Sequence, residues 1–206
     1  MRAAEKLIAQ RGMENVSIRD IVSEAGQKNE SALQYHFKSF TGLIQEILSL
    51  RSKQLHEKRA ELLSTVLAAD NAPSLRQICV LMVRPAFELA RTDANFRRYI
   101  KAFGHELVLT ETSPLSTVAK HGGGGASGAQ VGQLLIQALP HLDKSTFQAR
   151  LEAAVRLISA SMYHQARQKN AFRGHQSDVF FHHLIDAVTG LLNAPISAET
   201  QALQKP

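Results

Sequence analysis

Apolar residues recur along this chain at steps of three and four, almost from end to end. That spacing gathers side chains on one face of a helix, which turns by about 100° per residue. The first such run is residues 3–12, AAEKLIAQRG. A second spans 16–26, where Ile18, Ile21, Val22 and Ala25 share a face. Its opening Ser17-Ile18-Arg19-Asp20 has the Ser-x-x-acid form of a capping box, in which two side chains satisfy backbone N–H groups at the helix start. Gly26 tolerates the left-handed conformation that ends a helix and turns the chain sharply. A third helix carries Leu33 and Phe37 on its inner side. A fourth runs from 41 to about 67, with Leu43, Ile44, Ile47, Leu48 and Leu55 apolar. Its polar middle, Arg51-Ser52-Lys53-Gln54, predicts an exposed connector between two domains.

Helices continue beyond it. Asp70-Asn71-Ala72-Pro73-Ser74 is a break, with Ser74 a good N-cap for the next helix. That fifth helix runs from 74 to about 91 and contains Pro85, which removes a backbone hydrogen bond and predicts a kink or break near Leu81 to Arg84. A sixth, from 93 to about 103, bears Phe96, Tyr99, Ile100 and Phe103. Residues 104–130 look least ordered. Gly123-x-Gly125-x-x-Gly128 formally matches a dinucleotide-binding fingerprint, but no strand precedes it, so the glycine run 121–128 reads as a flexible loop.

Two long helices follow, at about 144–169 and 177–193. Leu151, Ala154, Val155, Ile158 and Met162 form a stripe on the first, and Phe181, Leu184, Val188 and Leu191 on the second. Phe180, Ile185 and Leu192 add a second apolar side, and a helix apolar on two sides must bury both. One side can pack on its own domain and the other on a second copy, as a four-helix interface about a two-fold axis. Leu151, Val155, Ile158, Met162, Phe181, Leu184, Val188 and Leu191 are the candidate dimer interface. Burial inside a single chain is the alternative.

The two short helices joined at Ala25-Gly26 have the form of a helix-turn-helix, whose second helix can enter a DNA major groove. Projection turns Lys28, Ser31, Tyr35 and Lys38 outward, with Ala32 and Gln34 on the flanks. Small, polar, aromatic and basic groups suit a surface that approaches DNA closely, reads base edges and holds phosphates. A solvated helix in an ordinary bundle would also be polar outside, so spacing alone leaves both readings open.

Residues 2–48 resemble the DNA-binding domain of the TetR family of transcriptional repressors. The resemblance rests on AAEKLIAQRG, then VSIRDIVSEAG, then LQYHFKS leading into a long helix, over roughly a quarter of the chain. Its most specific part is Tyr35-His36-Phe37, about ten residues after Ala25-Gly26. It implies an all-α fold, with a three-helix helix-turn-helix domain at 1–48 and a larger helical ligand-binding and dimerisation domain at 49–206. It implies that Tyr35, His36 and Lys38 contact phosphates, that Lys28, Ser31, Ala32 and Gln34 face bases, and that Ser17 and Arg19 touch the DNA backbone. His36 also has a structural reading, as a cap on its helix's C-terminus. Three departures stand out: a turn one residue longer than in the commonest members, Gln34 in place of a tyrosine, and Phe40 in place of a phosphate-binding lysine.

The resemblance also implies a cavity in the larger domain whose occupancy tilts the DNA-binding heads. Met82, Phe87, Phe103, His105 and Met162 are candidate lining residues, each equally at home in a plain core. The function so implied is that of a homodimeric repressor on an inverted-repeat operator in double-stranded DNA, released by a small, mostly apolar effector.

Composition adds little. The 206 residues hold 24 Lys+Arg against 18 Asp+Glu, a formal charge of +6, and the ten basic residues of the first 60 are spread rather than clustered. A lone cysteine, Cys79, sits in an apolar run, excludes an internal disulfide and suits a reducing cytoplasm. No segment has the length of a membrane span and no secretory signal opens the chain. No nucleophile elbow, zinc-protease motif or paired-cysteine motif occurs, so no catalysis, cofactor or metal is expected. His182 and Asp186, one turn apart, suggest a surface ion pair. The competing class is a helical protein-interaction or scaffold module without sequence-specific DNA binding.

Overall fold

The computed structural model describes residues 1–27, 29, 31–109, 111–120 and 124–204, apart from the side chains of Ala32, Leu107 and Gln204. Among these residues all regular structure is helical. The N-terminal end is built from α1 (Arg2–Arg11), α2 (Ile18–Glu24) and α3 (Ser31–Phe37), with a 3-10 turn, Met13–Asn15, after α1. The capping box of α2 forms as expected: Ser17 Oγ accepts from the Asp20 N–H at 3.2 Å, and the Ser17 N–H donates to Asp20 Oδ2 at 2.9 Å. Gly26, at φ 68°, takes the left-handed conformation after α2. Leu7, Ile8, Ile21, Val22 and Leu33 then share a core with Leu43, Ile44, Ile47 and Leu48 of α4 (Phe40–Leu67).

The corner between α3 and α4 is tight. Lys38 stands at φ 64°, and Ser39 caps α4 by accepting from the Gly42 N–H at 3.0 Å. A Cβ at Gly42 would overlap the Phe37 carbonyl oxygen, so only glycine lets α3 end this close to α4. This also corrects the expected reach of α3. It ends at Phe37, and Lys38 lies beyond it in left-handed backbone, so helical projection does not set its direction.

The larger end comprises α5 (Leu75–Thr92), α6 (Ala94–Phe103), α7 (Glu106–Leu109), α8 (Pro114–Lys120), α9 (Gly125–Ala138), α10 (Lys144–Ala166), α11 (Gly174–Asn193) and α12 (Ala198–Gln204). Ser74 opens α5 with a capping box to Gln77, and Asp93 and Asp143 cap α6 and α10. The second core gathers Leu63, Ile78, Leu81, Phe87, Ile185 and Val188, with the Phe87 ring 4.6 Å from Phe181 and 5.7 Å from Phe172. Cys79 is buried within it.

Five expectations change. Helix α5 does not break: it runs through buried Pro85, because Leu81, Val83 and Phe87 around it are buried and their packing outweighs the missing hydrogen bond. The glycine run is in part helical, with Gly125 to Gly128 forming the start of α9, while residues 121–123 lie outside the described residues. A Cβ at Gly125 would come within 2.6 Å of His56 Nδ1, and the same nitrogen lies 2.8 Å from Ser127 Oγ, so glycine lets α9 dock on α4. His182 and Asp186 do not pair: Asp186 instead meets Arg76 of α5 at 3.0 Å.

The polar middle of α4 is not an exposed connector. Arg51 is 4% exposed and bonds both oxygens of Glu5 on α1, at 2.8 and 2.9 Å, with Asp93 at 3.4 Å. Burial works against the Arg51 charge, but the Glu5 bonds and the Asp93 carboxylate outweigh it and hold its pKa above the ordinary value. Lastly, the stripe read as a dimer interface faces the chain's own interior. Phe181, Leu184 and Val188 are buried in the second core, and Leu151, Val155, Ile158 and Met162 border an internal cavity. Of the eight, Met162, Phe181, Leu184 and Val188 are buried and have little surface left for a partner, while Leu151, Val155, Ile158 and Leu191 are half-buried.

Two stability outcomes follow. Glu5→Ala or Arg51→Ala alone should cost about 3–5 kcal/mol, by leaving one buried charge unanswered, whereas Glu5→Leu with Arg51→Met should come within about 1 kcal/mol of the parent or exceed it. Urea denaturation checks this; single variants losing under about 1 kcal/mol would mean that the pair is not buried in solution. Gly42→Ala should destabilise by roughly 1–3 kcal/mol through overpacking against α3, read in the same way.

Candidate functional site

The outward side of α3 is open to solvent. Leu33 turns inward and is 7% exposed, while Ser31, Gln34, Tyr35 and His36 are exposed, Tyr35 to 83%. The Asn29 side chain accepts from the Ser31 N–H at 2.8 Å and so helps to start the helix. Tyr35 and His36 stand edge to face, ring centroids 5.2 Å apart. His36 makes no backbone-capping hydrogen bond among the described residues. The Lys38 N–H, in left-handed backbone, bonds the Gln34 carbonyl at 2.9 Å and closes the helix instead. The Lys38 side chain is exposed beside this ridge. Lys28 lies outside the described residues, and of Ala32 only the backbone is placed, within α3.

Ser17 and Arg19 flank the ridge from the start of α2, both exposed. The Ser17 hydroxyl already donates to Asp20 Oδ2 at 2.5 Å, so its one hydrogen is committed to the capping box. That bond, then the backbone bond from Ser17, depress the Asp20 pKa. Lys6 and Glu24, 2.5 Å apart, and Arg11 and Asp20, 3.7 Å apart, tie α1 to α2. The ridge therefore sits on a small, cross-braced frame.

A second feature lies deeper. A cavity of about 320 Å³ opens between α4, α5, α6, α8, α9 and α10, with Glu106 of α7 on its wall. Met82, Phe103 and Met162 line it, as read from the sequence. Phe87 does not: it belongs to the aromatic cluster with Phe172 and Phe181. His105 is also absent from the wall, its ring packing 5.4 Å from Tyr163 and its Nδ1 buried without a partner among the described residues.

Several wall residues gave no sequence signal. Leu48, Ser52, Leu55 and Arg59 come from α4, the helix that also carries the N-terminal core. Gly128 and Gly132 contribute bare backbone, and a Cβ at Gly132 would meet nothing within 4 Å. Burial lowers the Arg59 pKa and raises that of Glu106. Burial, then the Glu106 charge, push the Tyr99 hydroxyl far up. The Glu5–Arg51 pair did leave a trace: each charge sits in register with an apolar stripe, Glu5 with Ile8 and Arg51 with Ile44, Ile47 and Leu48.

Among the described residues no helix is long and apolar enough to cross a membrane, and no trio of suitable side chains converges on a metal position. No curated protein matches this chain. Residues 1–47 match the family model for bacterial regulatory proteins of the tetR family. Among solved structures the chain is similar to a TetR-family transcriptional regulator from Rhodococcus sp., with a TM-score of 0.60 and 18% identity, over 93% of this chain and 96% of that one. At that identity the likeness is one of fold, and it spans both ends of the molecule. Residues 1–47 are a TetR-family DNA-binding helix-turn-helix domain, borne on a chain with the fold of a TetR-family regulator.

Proposed function

We propose that this chain works as a homodimeric repressor whose hold on an inverted-repeat operator is released when a small, mostly apolar molecule enters the cavity. The observation that carries this reading is the use of one helix for both tasks. At its start α4 packs against α3 and the N-terminal core, and one turn or more later it forms cavity wall through Leu48, Ser52, Leu55 and Arg59. Arg51, between those positions, is bonded to α1 through Glu5. A ligand that displaces α4 would displace the ridge with it, and DNA affinity would fall by the ratio of the ligand's affinities for the two arrangements. Phe103 supports the same link, since it touches the cavity and also packs in the N-terminal core.

The division at residues 48 and 49 belongs to this reading, with 1–48 as the reading head and 49–206 as the ligand and dimer part. A second copy would dock on the outer sides of α10 and α11. Ala153, Ala187 and Gly190 are exposed there, next to half-buried Leu157 and Ala160, and small side chains allow two helix pairs to approach closely. Pairing is what gives one short recognition helix enough contact, because two copies can read half-sites a helical turn or more apart.

The function test compares an operator fragment with random duplex of equal length at fixed salt. Operator binding should be tighter by about 10³-fold or more, whereas equal affinity would favour the scaffold reading. Tyr35→Ala and Lys38→Ala should each weaken operator binding by about 1–3 kcal/mol at unchanged thermal stability, with Lys38→Ala lowering the salt slope by about one unit. A matching loss of stability would make these side chains structural. For the pairing, sedimentation should give twice the chain mass for the parent and the single-chain mass for Gly190→Arg. A parent that sediments as a single chain would end that part of the reading.

A further inference from the structure

The two charges on the cavity wall are not equivalent. Arg59 is engaged by other groups of the protein. Glu106, by contrast, has no hydrogen bond or ion pair among the described residues, and burial alone accounts for the upward push on its carboxyl. A carboxylate in an apolar wall loses hydration that only a hydrogen-bond donor or a cation restores. Part of the same wall is aromatic. Along α6 the rings of Phe96, Tyr99 and Phe103 follow one another at 5.4 and 5.6 Å between centroids, and all three border the cavity. Burial first, and then the Glu106 charge, raise the pKa of the Tyr99 hydroxyl. Phe96 already carries the Arg51 guanidinium, 5.8 Å from its centroid, which leaves Tyr99 and Phe103 as the rings open to a further cation.

We infer that the cavity binds an organic cation, a quaternary or protonated amine with an aryl or branched alkyl body that fits within about 320 Å³, its charge against Glu106 and its body over Tyr99 and Phe103. This rests on the cavity being the effector site, as proposed above, and names the effector's chemical class. An anion would meet the unanswered Glu106 charge at close quarters. A neutral guest without a hydrogen-bond donor would leave Glu106 unanswered. A cation with an apolar body satisfies the carboxylate and uses the aromatic wall at once. Gly128 and Gly132 leave volume opposite, so bulk is accommodated on the α9 side.

The test uses the full chain without DNA and two probes of matched shape, benzyltrimethylammonium and its neutral carbon isostere neopentylbenzene, with 4-tert-butylbenzoate as the anion, each titrated by calorimetry. The ammonium should bind at least tenfold more tightly than the isostere, a ratio of about 1.4 kcal/mol. Glu106→Gln should abolish that ratio while the isostere binds within about twofold of the parent, which also reports that the cavity is intact, and Glu106→Asp should keep most of it. If Glu106→Gln loses both probes, the parent's ratio and the Glu106→Asp result decide. Equal binding of the isostere, tighter binding of the benzoate, or no binding of the ammonium up to its solubility overturns the inference. An ammonium that binds through Glu106 yet leaves operator affinity unchanged would keep the ligand class and sink the release mechanism instead.

Discussion

Arg51 occupies a position that few soluble proteins give to a charge. It is almost wholly buried, midway along the longest helix, and it joins three segments distant in sequence: Glu5 on α1, its own α4, and Asp93 at the start of α6. Burying a guanidinium and a carboxylate costs several kcal/mol each, and their attraction repays this only when geometry is close to ideal. Here both guanidinium–carboxylate bonds lie near 2.9 Å, and Gln54 and the Phe96 ring take up further parts of the cation. Such a pair adds little net stability over apolar residues of the same size. What it does fix is register, since Arg51 meets Glu5 in only one placement of α1 against α4. The position of the whole N-terminal unit relative to the rest depends on that placement, with Ala102 and Phe103 of α6 completing the contact.

The exposed ridge depends on the same frame at its other end. An α-helix of seven residues has little stability of its own and is held by what packs behind it. Leu33 supplies that packing, and Gly42 lets the end of α3 rest directly on the first turn of α4. With its inner side satisfied, α3 leaves Tyr35 in water. A tyrosine exposed to that degree has apolar area to gain by meeting another surface, and its hydroxyl is free to bond a phosphate.

The cavity arises from a conflict between close docking and complete filling. Helix α9 approaches α4 through glycine at 125 and the His56–Ser127 contact. The same helix then presents Gly128 and Gly132 where a side chain would have filled the space, and interiors of this kind otherwise pack to crystalline density. The unfilled volume is walled in part by α4, the helix on which the ridge-bearing α3 rests.

Local rules were enough to read much of this from the residues. The capping boxes at Ser17 and Ser74, the left-handed turn at Gly26, the break before α5 and the inward Leu33 with outward Tyr35 all depend on neighbours within about one turn, where spacing and side-chain type suffice. Tertiary structure decided the rest, because it depends on which surfaces meet. Periodicity showed that α10 and α11 are apolar on more than one side, but not that the Leu151 stripe turns to a cavity and the Phe181 stripe to the chain's own core. Composition made Arg51 look solvated and the glycine run look loose, until Glu5 and His56 came to lie beside them across 46 and 69 positions of sequence. Met82, Phe103 and Met162 were legible as wall since apolar residues can be placed by face alone. Glu106 and Arg59 were not, because whether a charge is buried, answered or left open is a property of the assembled neighbourhood and is not carried by the residue or its sequence neighbours.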